Sequence, residues 1–294
     1  MTSNSDMNIL YAETEHVLNE MATVAMPYMS LLERNVSPDV FCSLFGLWHC
    51  SLMTSDTILK LCQLNKVWDA IILLRSVIHG SAKFAYLLSG DKEILQARFE
   101  EYHVTIPKKE FASMEKPTDL LFKIGAYDSA EKESFASKQF RDVIKINKTQ
   151  EGEGSSVRAV SKKWDFFRLS EALANEDIVW CEMAPDINQA YASANVLVHM
   201  NDTGCGEIMQ RLAYDQDYQR LMDYGHAANL LFRVSVLQLI RSNALIHYMG
   251  GETHTLLNIL RERTTYVELL NRINKVVCDT IISHENGGGN NHGK

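Results

Sequence analysis

Residues Trp68 to Leu88 read Trp-Asp-Ala-Ile-Ile-Leu-Leu-Arg-Ser-Val-Ile-His-Gly-Ser-Ala-Lys-Phe-Ala-Tyr-Leu-Leu. Ile71, Leu74, Ile78, Ala85 and Leu88 recur at helical spacing along one side, while Trp68, Ile72, Arg75, His79 and Tyr86 recur at three and four residues along another. A helix apolar on two faces is packed on two sides, so this stretch predicts the centre of a helical bundle. Arg75 and His79 fall one turn apart inside that apolar surface. A guanidinium there is costly to bury unless something accepts its hydrogen bonds, so the helix predicts a polar partner elsewhere in the chain.

The helix expected from Pro185 to Val198 supplies one. Tyr191, Asn195 and His199 lie four residues apart on one face, beside an apolar side made by Ile187, Ala190, Ala194 and Leu197. Arg75, His79, Tyr191 and His199 are therefore expected in one buried or cleft-lining network. Two readings stand side by side: the four satisfy one another and fix helix register, or they form a centre with chemistry of its own.

Outward from this pair the chain reads as helices throughout. Ile9 to Leu32 predicts the first, with Glu13, Glu15 and Glu20 on the wet side. Ser37-Pro38-Asp39 predicts the start of a second that runs to about Leu64, because Ser caps, Pro loses no needed donor and Asp favours the positive helix end. The central helix is expected to stop at Ser89-Gly90, with Gly90 as its C-terminal glycine, and Asp91 to open another through Tyr102. Short helices are expected between Pro107 and Ile146, a flexible loop at 147–156, a helix from Val157 to Ala174, and two long patterns at Glu207 to Tyr248, interrupted near Gly225, and Glu252 to Ser283. No segment shows strand alternation. The expected fold is all-α: a multi-helix bundle with long C-terminal helices and no sheet, one domain over 1–284 and a disordered tail over 285–294.

Composition bounds the function. The 294 residues are 46% hydrophobic and 22% charged, a normal globular balance with a real core. The net charge of −8 argues against coating nucleic acid through bulk electrostatics, leaving only a local basic patch. Six cysteines without a Cys-x-x-Cys pair fit reduced thiols in the cytoplasm, and uninterrupted apolar runs such as Ala70 to Leu74 are too short for a membrane span. The stripe Leu230, Leu231, Val234, Leu237 and Ile240 is broader than one face of a small bundle requires, which predicts a homodimer interface.

Leu74-Arg75-Ser76 in an apolar helix, Lys162-Lys163-Trp164, and Tyr191 followed by His199 resemble a bacterial family of largely helical proteins defined as a domain of unknown function, over roughly Leu64 to Asp202. The family carries an acidic residue at the position of His79 and Ser at that of Asn195. The resemblance implies a helical fold, a bacterial or phage-related origin and a polar Arg and His centre. Arg98 to His103 is also similar to the Arg-to-His spacing of HEPN ribonucleases, helical toxins and defence effectors, as are Arg220 to His226 and Arg241 to His247 in a looser form. There Arg would stabilise charge developing on phosphate while His transfers a proton and the RNA 2′-hydroxyl attacks. An ordinary pair of solvated helix residues produces the same spacing.

Arg158, Lys162, Lys163 and Arg168, with Trp164 and Phe167 interleaved, form a basic stretch suited to RNA or an acidic protein, or to a plain amphipathic surface. No zinc motif, phosphate loop or nucleophile elbow occurs, so no metal or cofactor is expected. Two functions result. One is a bacterial antiviral-defence or toxin-type effector, a metal-independent endoribonuclease using an Arg/His centre; the other is a non-enzymatic helical interaction or regulatory protein.

Overall fold

The computed structural model describes residues 4–105, 160, 162–176, 178–199, 206, 209 and 214–288. Among these the protein is all-α, with nine α-helices, one π-helical turn and no strand. In chain order the helices are α1 (Asn4–Asn35), α2 (Pro38–Gln63), α3 (Val67–Leu88), α4 (Lys92–Glu100), the π turn (Glu101–Thr105), α5 (Phe166–Glu176), α6 (Ile178–Val198), α7 (Gln216–Tyr248), α8 (His254–Glu262) and α9 (Thr264–Gly288). They group into two compact units, Met1–Ser89 with Leu173–Lys294, and Gly90–Ala172. The short helices expected between Pro107 and Ile146 and the loop at 147–156 lie outside the described residues.

Local chemistry sets the helix ends. Ser37, in extended backbone, accepts from the Val40 amide and starts α2. Asn65 takes the left-handed conformation in the turn to α3, a role its short polar side chain tolerates. Asp91 and Asp215 cap α4 and α7 through the amides of Ile94 and Tyr218, each at 2.9 Å.

In the larger unit α3 packs against α2, α6 and α7, and α7 packs against α1, α2, α3, α6, α8 and α9. Trp48 of α2 meets Phe84 of α3 with ring centroids 5.5 Å apart, both rings buried. On α7, Ser235 Oγ lies 3.1 Å from the Tyr266 hydroxyl of α9, which donates to the Leu231 carbonyl. Burial pushes the Tyr266 hydroxyl up to about 12. As a whole, α3 is long and apolar enough to cross a membrane, although its longest unbroken apolar run is not; 56% of its most apolar window is buried inside the protein.

Several expected boundaries shift. Gly90 is not a left-handed cap: the α3 end closes through the Ser89 amide on the Tyr86 carbonyl, and a Cβ on Gly90 would run into Ile94. Pro185 lies inside α6 rather than opening it, because proline removes one donor while buried Trp180 and Ala184 anchor the turns before it. The helix expected from Val157 is helical at Val160, Lys162 and Lys163, breaks at Trp164 and Asp165, and resumes as α5 at Phe166, behind Asp165, whose carboxylate accepts from the Phe167 amide at 3.1 Å. Val157 to Ala159 and Ser161 lie outside the described residues.

α7 passes Gly225 without a break. The glycine serves close packing there, since a Cβ would sit 2.9 Å from Val277 Cγ2 of α9. The last long pattern divides at Arg263, whose backbone leaves the helical region and whose guanidinium reaches Glu13 and Glu20 of α1 at 3.4 and 2.9 Å. α9 extends to Gly288, into the expected tail, and residues 289–294 lie outside the described ones. Leu230, Leu231, Val234, Leu237 and Ile240 are all at most 1% exposed. That stripe is the protein's own core, used up because so many helices converge on α7, and it offers no surface to a second copy.

Candidate functional site

α3 and α6 pack together, and their polar residues meet as their matching periodicities require. The Arg75 guanidinium carbon lies 5.3 Å from the centre of the Tyr191 ring. His79 meets the same ring edge-on, with centroids 6.2 Å apart. Tyr191 is buried and Arg75 half-buried, so a cation rests on an aromatic face out of bulk water. The Arg75 Nε and the Asn195 side-chain oxygen are buried without hydrogen-bond partners among the described residues. His199 does not complete the group. It is exposed just past the end of α6, and no hydrogen bond, ion pair or ring contact joins it to Arg75 among the described residues. The helix ends one residue too early to bury it.

Neighbouring positions on the same helices, joined by α7, line a cleft of about 450 Å³. α3 contributes Trp68, Ile71 and Leu74, and α6 contributes Gln189, Ser193 and Leu197. From α7 come His226, Asn229 and Arg233, a stripe at three- and four-residue spacing. The His226 ring lies 5.7 Å from Trp68, tilted by 52°. Arg233 is fixed by Asp186 of α6, through Nε to Oδ2 at 3.0 Å and Nη2 to Oδ1 at 2.7 Å. This bidentate pair locks the guanidinium plane at the cleft wall. Sequence reasoning missed Arg233, Asn229 and Asp186. The clue was the polar stripe from His226 to Arg233 within the most apolar half of a long helix.

Two turns further along α7, Arg241 is fully buried. Its Nη1 donates to Ser81 Oγ and its Nη2 to Gln238 Oε1, both at 2.5 Å. Ser81 in turn donates to the Val77 carbonyl at 2.6 Å, Gln238 to Ser242 Oγ at 3.2 Å, and Ser242 to the Met21 carbonyl at 3.4 Å. Every one of these partners is neutral. Burial without a carboxylate pushes the guanidinium down to about 9.

The remaining candidates fall in varied settings. In the smaller unit Arg98 is buried near the end of α4, while His103 is exposed on the π turn with its ring 4.7 Å from Phe99. Trp164, expected as a platform for bases, is buried. Its indole N–H donates to Glu101 Oε2 at 3.2 Å and its ring stacks on Tyr102 at 5.0 Å. Lys163 pairs with the same carboxylate at 2.8 Å, and both Lys162 and Lys163 are exposed. Arg158 lies outside the described residues. Arg168 pairs with Glu171 on the surface. Arg220 is exposed while His226 faces the cleft, and Arg241 is sealed while His247 is exposed, so neither spacing sets two accessible side chains together. Among the described residues no three His, Cys, Asp or Glu side chains gather as a metal site.

Compared with family models, curated proteins and solved structures, the chain has no significant match in any of the three.

Proposed function

We propose that the protein is a non-enzymatic helical interaction or regulatory protein that responds to a small molecule held in the cleft between α3, α6 and α7. One observation carries this reading: a preformed cleft of about 450 Å³ combines apolar walls with an arginine already oriented by Asp186. Such size and composition are those of small-ligand sites. A ligand that binds only the folded chain raises its melting temperature with concentration. A panel of uncharged, anionic and cationic aromatic compounds in thermal-shift measurements tests this. At least one class is expected to raise Tm, and Ser193→Trp, which fills the cleft from an exposed position, is expected to abolish the rise. No rise with any compound would overturn the reading.

A second reading, a bacterial defence or toxin-type endoribonuclease acting in the cytoplasm, draws support from the smaller unit. There the buried Arg98 and the exposed His103, beside Phe99 and Tyr102, belong to one short segment. Its test is cleavage of single-stranded RNA in the presence of a chelator, with growth arrest on induction. Both should be lost in His103→Ala; activity unchanged in that variant and in Arg98→Ala would refute it.

A further inference from the structure

The geometry points to a small aromatic monocarboxylate as the occupant of the α3, α6 and α7 cleft, held by the edge of the Arg233 guanidinium that Asp186 leaves open. The inference rests on the binding reading above and specifies its ligand. A guanidinium has five N–H donors in a fixed plane, arranged as a side edge of Nε and Nη2 and an end edge of Nη1 and Nη2. Asp186 occupies the side edge with both of its oxygens. Among the described residues Nη1 donates to no protein group, so the end edge keeps the fork that matches a second carboxylate.

Charge narrows the class. Arg233 and Asp186 sum to zero, and no lysine, aspartate or glutamate is among the described residues lining the cleft. A dianionic phosphate would find one cation already neutralised, and a cationic ligand would find, among the described lining residues, no carboxylate of its own. A monoanion meets the open donors with charge-assisted hydrogen bonds and adds one net negative charge at a partly exposed guanidinium edge, where a dianion would add two. Asn229, one turn before Arg233, places an amide donor on the same face.

Shape supplies the rest. Trp68 and His226 form an aromatic wall, and Leu74, Leu197 and Leu230 give an apolar floor. A flat ring system gains by burial against these surfaces, whereas an extended polar ligand would leave them wet. The cleft volume suits a compact body of one or two rings.

The test is isothermal titration of the full chain with 2-naphthoate and with 2-naphthamide, which share a ring system and differ in charge. The acid is expected to bind about tenfold or more tightly than the amide, the margin a charged hydrogen-bonded pair gives. Arg233→Gln should erase that preference with the helical circular-dichroism spectrum unchanged. Should that variant misfold, Arg233→Lys, which keeps the charge but loses the fork, should still weaken the acid selectively. Equal or tighter binding of the amide overturns the carboxylate assignment and leaves the cleft as a binding site. Binding of neither naphthyl compound, with other members of the thermal-shift panel still raising Tm, also overturns it. Silence of the whole panel removes the binding reading itself.

Discussion

Arg233 and Arg241 lie on one helix and meet opposite environments. Arg233 stands at a cleft wall with a carboxylate across one edge and open donors on the other. Arg241, two turns later, is sealed among hydroxyls and a side-chain amide, with no carboxylate bonded to it among the described residues. The difference separates two uses of an arginine on one helix. A paired and oriented guanidinium at a surface costs little to hold and keeps capacity for a partner. A sealed one spends its fork on fixing three helices, α1, α3 and α7, at the expense of desolvating a charge.

The largest effect should come from Arg241→Ala, which removes a large, fully buried side chain and leaves a cavity. We expect a loss of about 3 kcal/mol in urea unfolding. Arg241→Met, keeping most of the volume and removing the charge, should restore that loss and leave the chain at least as stable as the parent, because Ser81 and Gln238 retain their other bonds. A methionine variant as weak as the alanine one would show that the charge itself stabilises the core.

The pH dependence should sharpen the contrast. Burial holds Arg241 down to about 9, below the ordinary arginine range, so above that pH the folded chain loses a proton that the unfolded chain keeps. The unfolded state then binds more protons, and this group's contribution to stability rises with pH. Below about pH 9 the penalty is fully present. The stability of Arg241→Met relative to the parent should therefore be greatest at neutral pH and shrink from about pH 9 upward, followed by urea midpoints on both proteins. A difference constant from pH 7 to 10 would break this account.

Ser81→Ala should cost about 1 to 3 kcal/mol, since it strands Nη1 of a fully buried cation. Smallest is Asp186→Asn, at about 1 kcal/mol or less, because both partners are partly exposed and their attraction is screened. Raising ionic strength should shrink that loss and leave the Ser81→Ala loss nearly unchanged. Equal salt sensitivity would abolish the distinction between the two arginines.

The fold was legible where period and cap agree. Trp68 to Leu88 became α3 because its two apolar stripes are used on separate sides, and Ser37-Pro38 began α2 because side-chain oxygen and missing donor act locally. Arg75 and Tyr191 were legible as neighbours, since a cation in an apolar helix needs a polar partner, but the expected hydrogen bond was not: the guanidinium lies over the Tyr191 ring and its Nε meets no acceptor among the described residues. What failed depended on distant chain. Trp164 looked like an open platform until Glu101, far away in sequence, met its indole. The apolar stripe of α7 looked excessive because six helices claim that one helix, a number no local pattern contains. Arg241 paired in sequence with His247 only by spacing, and its burial follows from that same convergence.

The apolarity of α3 bears on how the protein is made. During synthesis α3 leaves the ribosome well before Gln216 begins α7, the helix that covers much of its surface. In that interval the nascent chain displays a segment with the length and composition by which membrane-insertion machinery selects its clients. Arg75, His79 and Lys83, spaced one turn apart along it, then act in a second capacity. They raise the cost of partition into lipid while the chain waits for its own core.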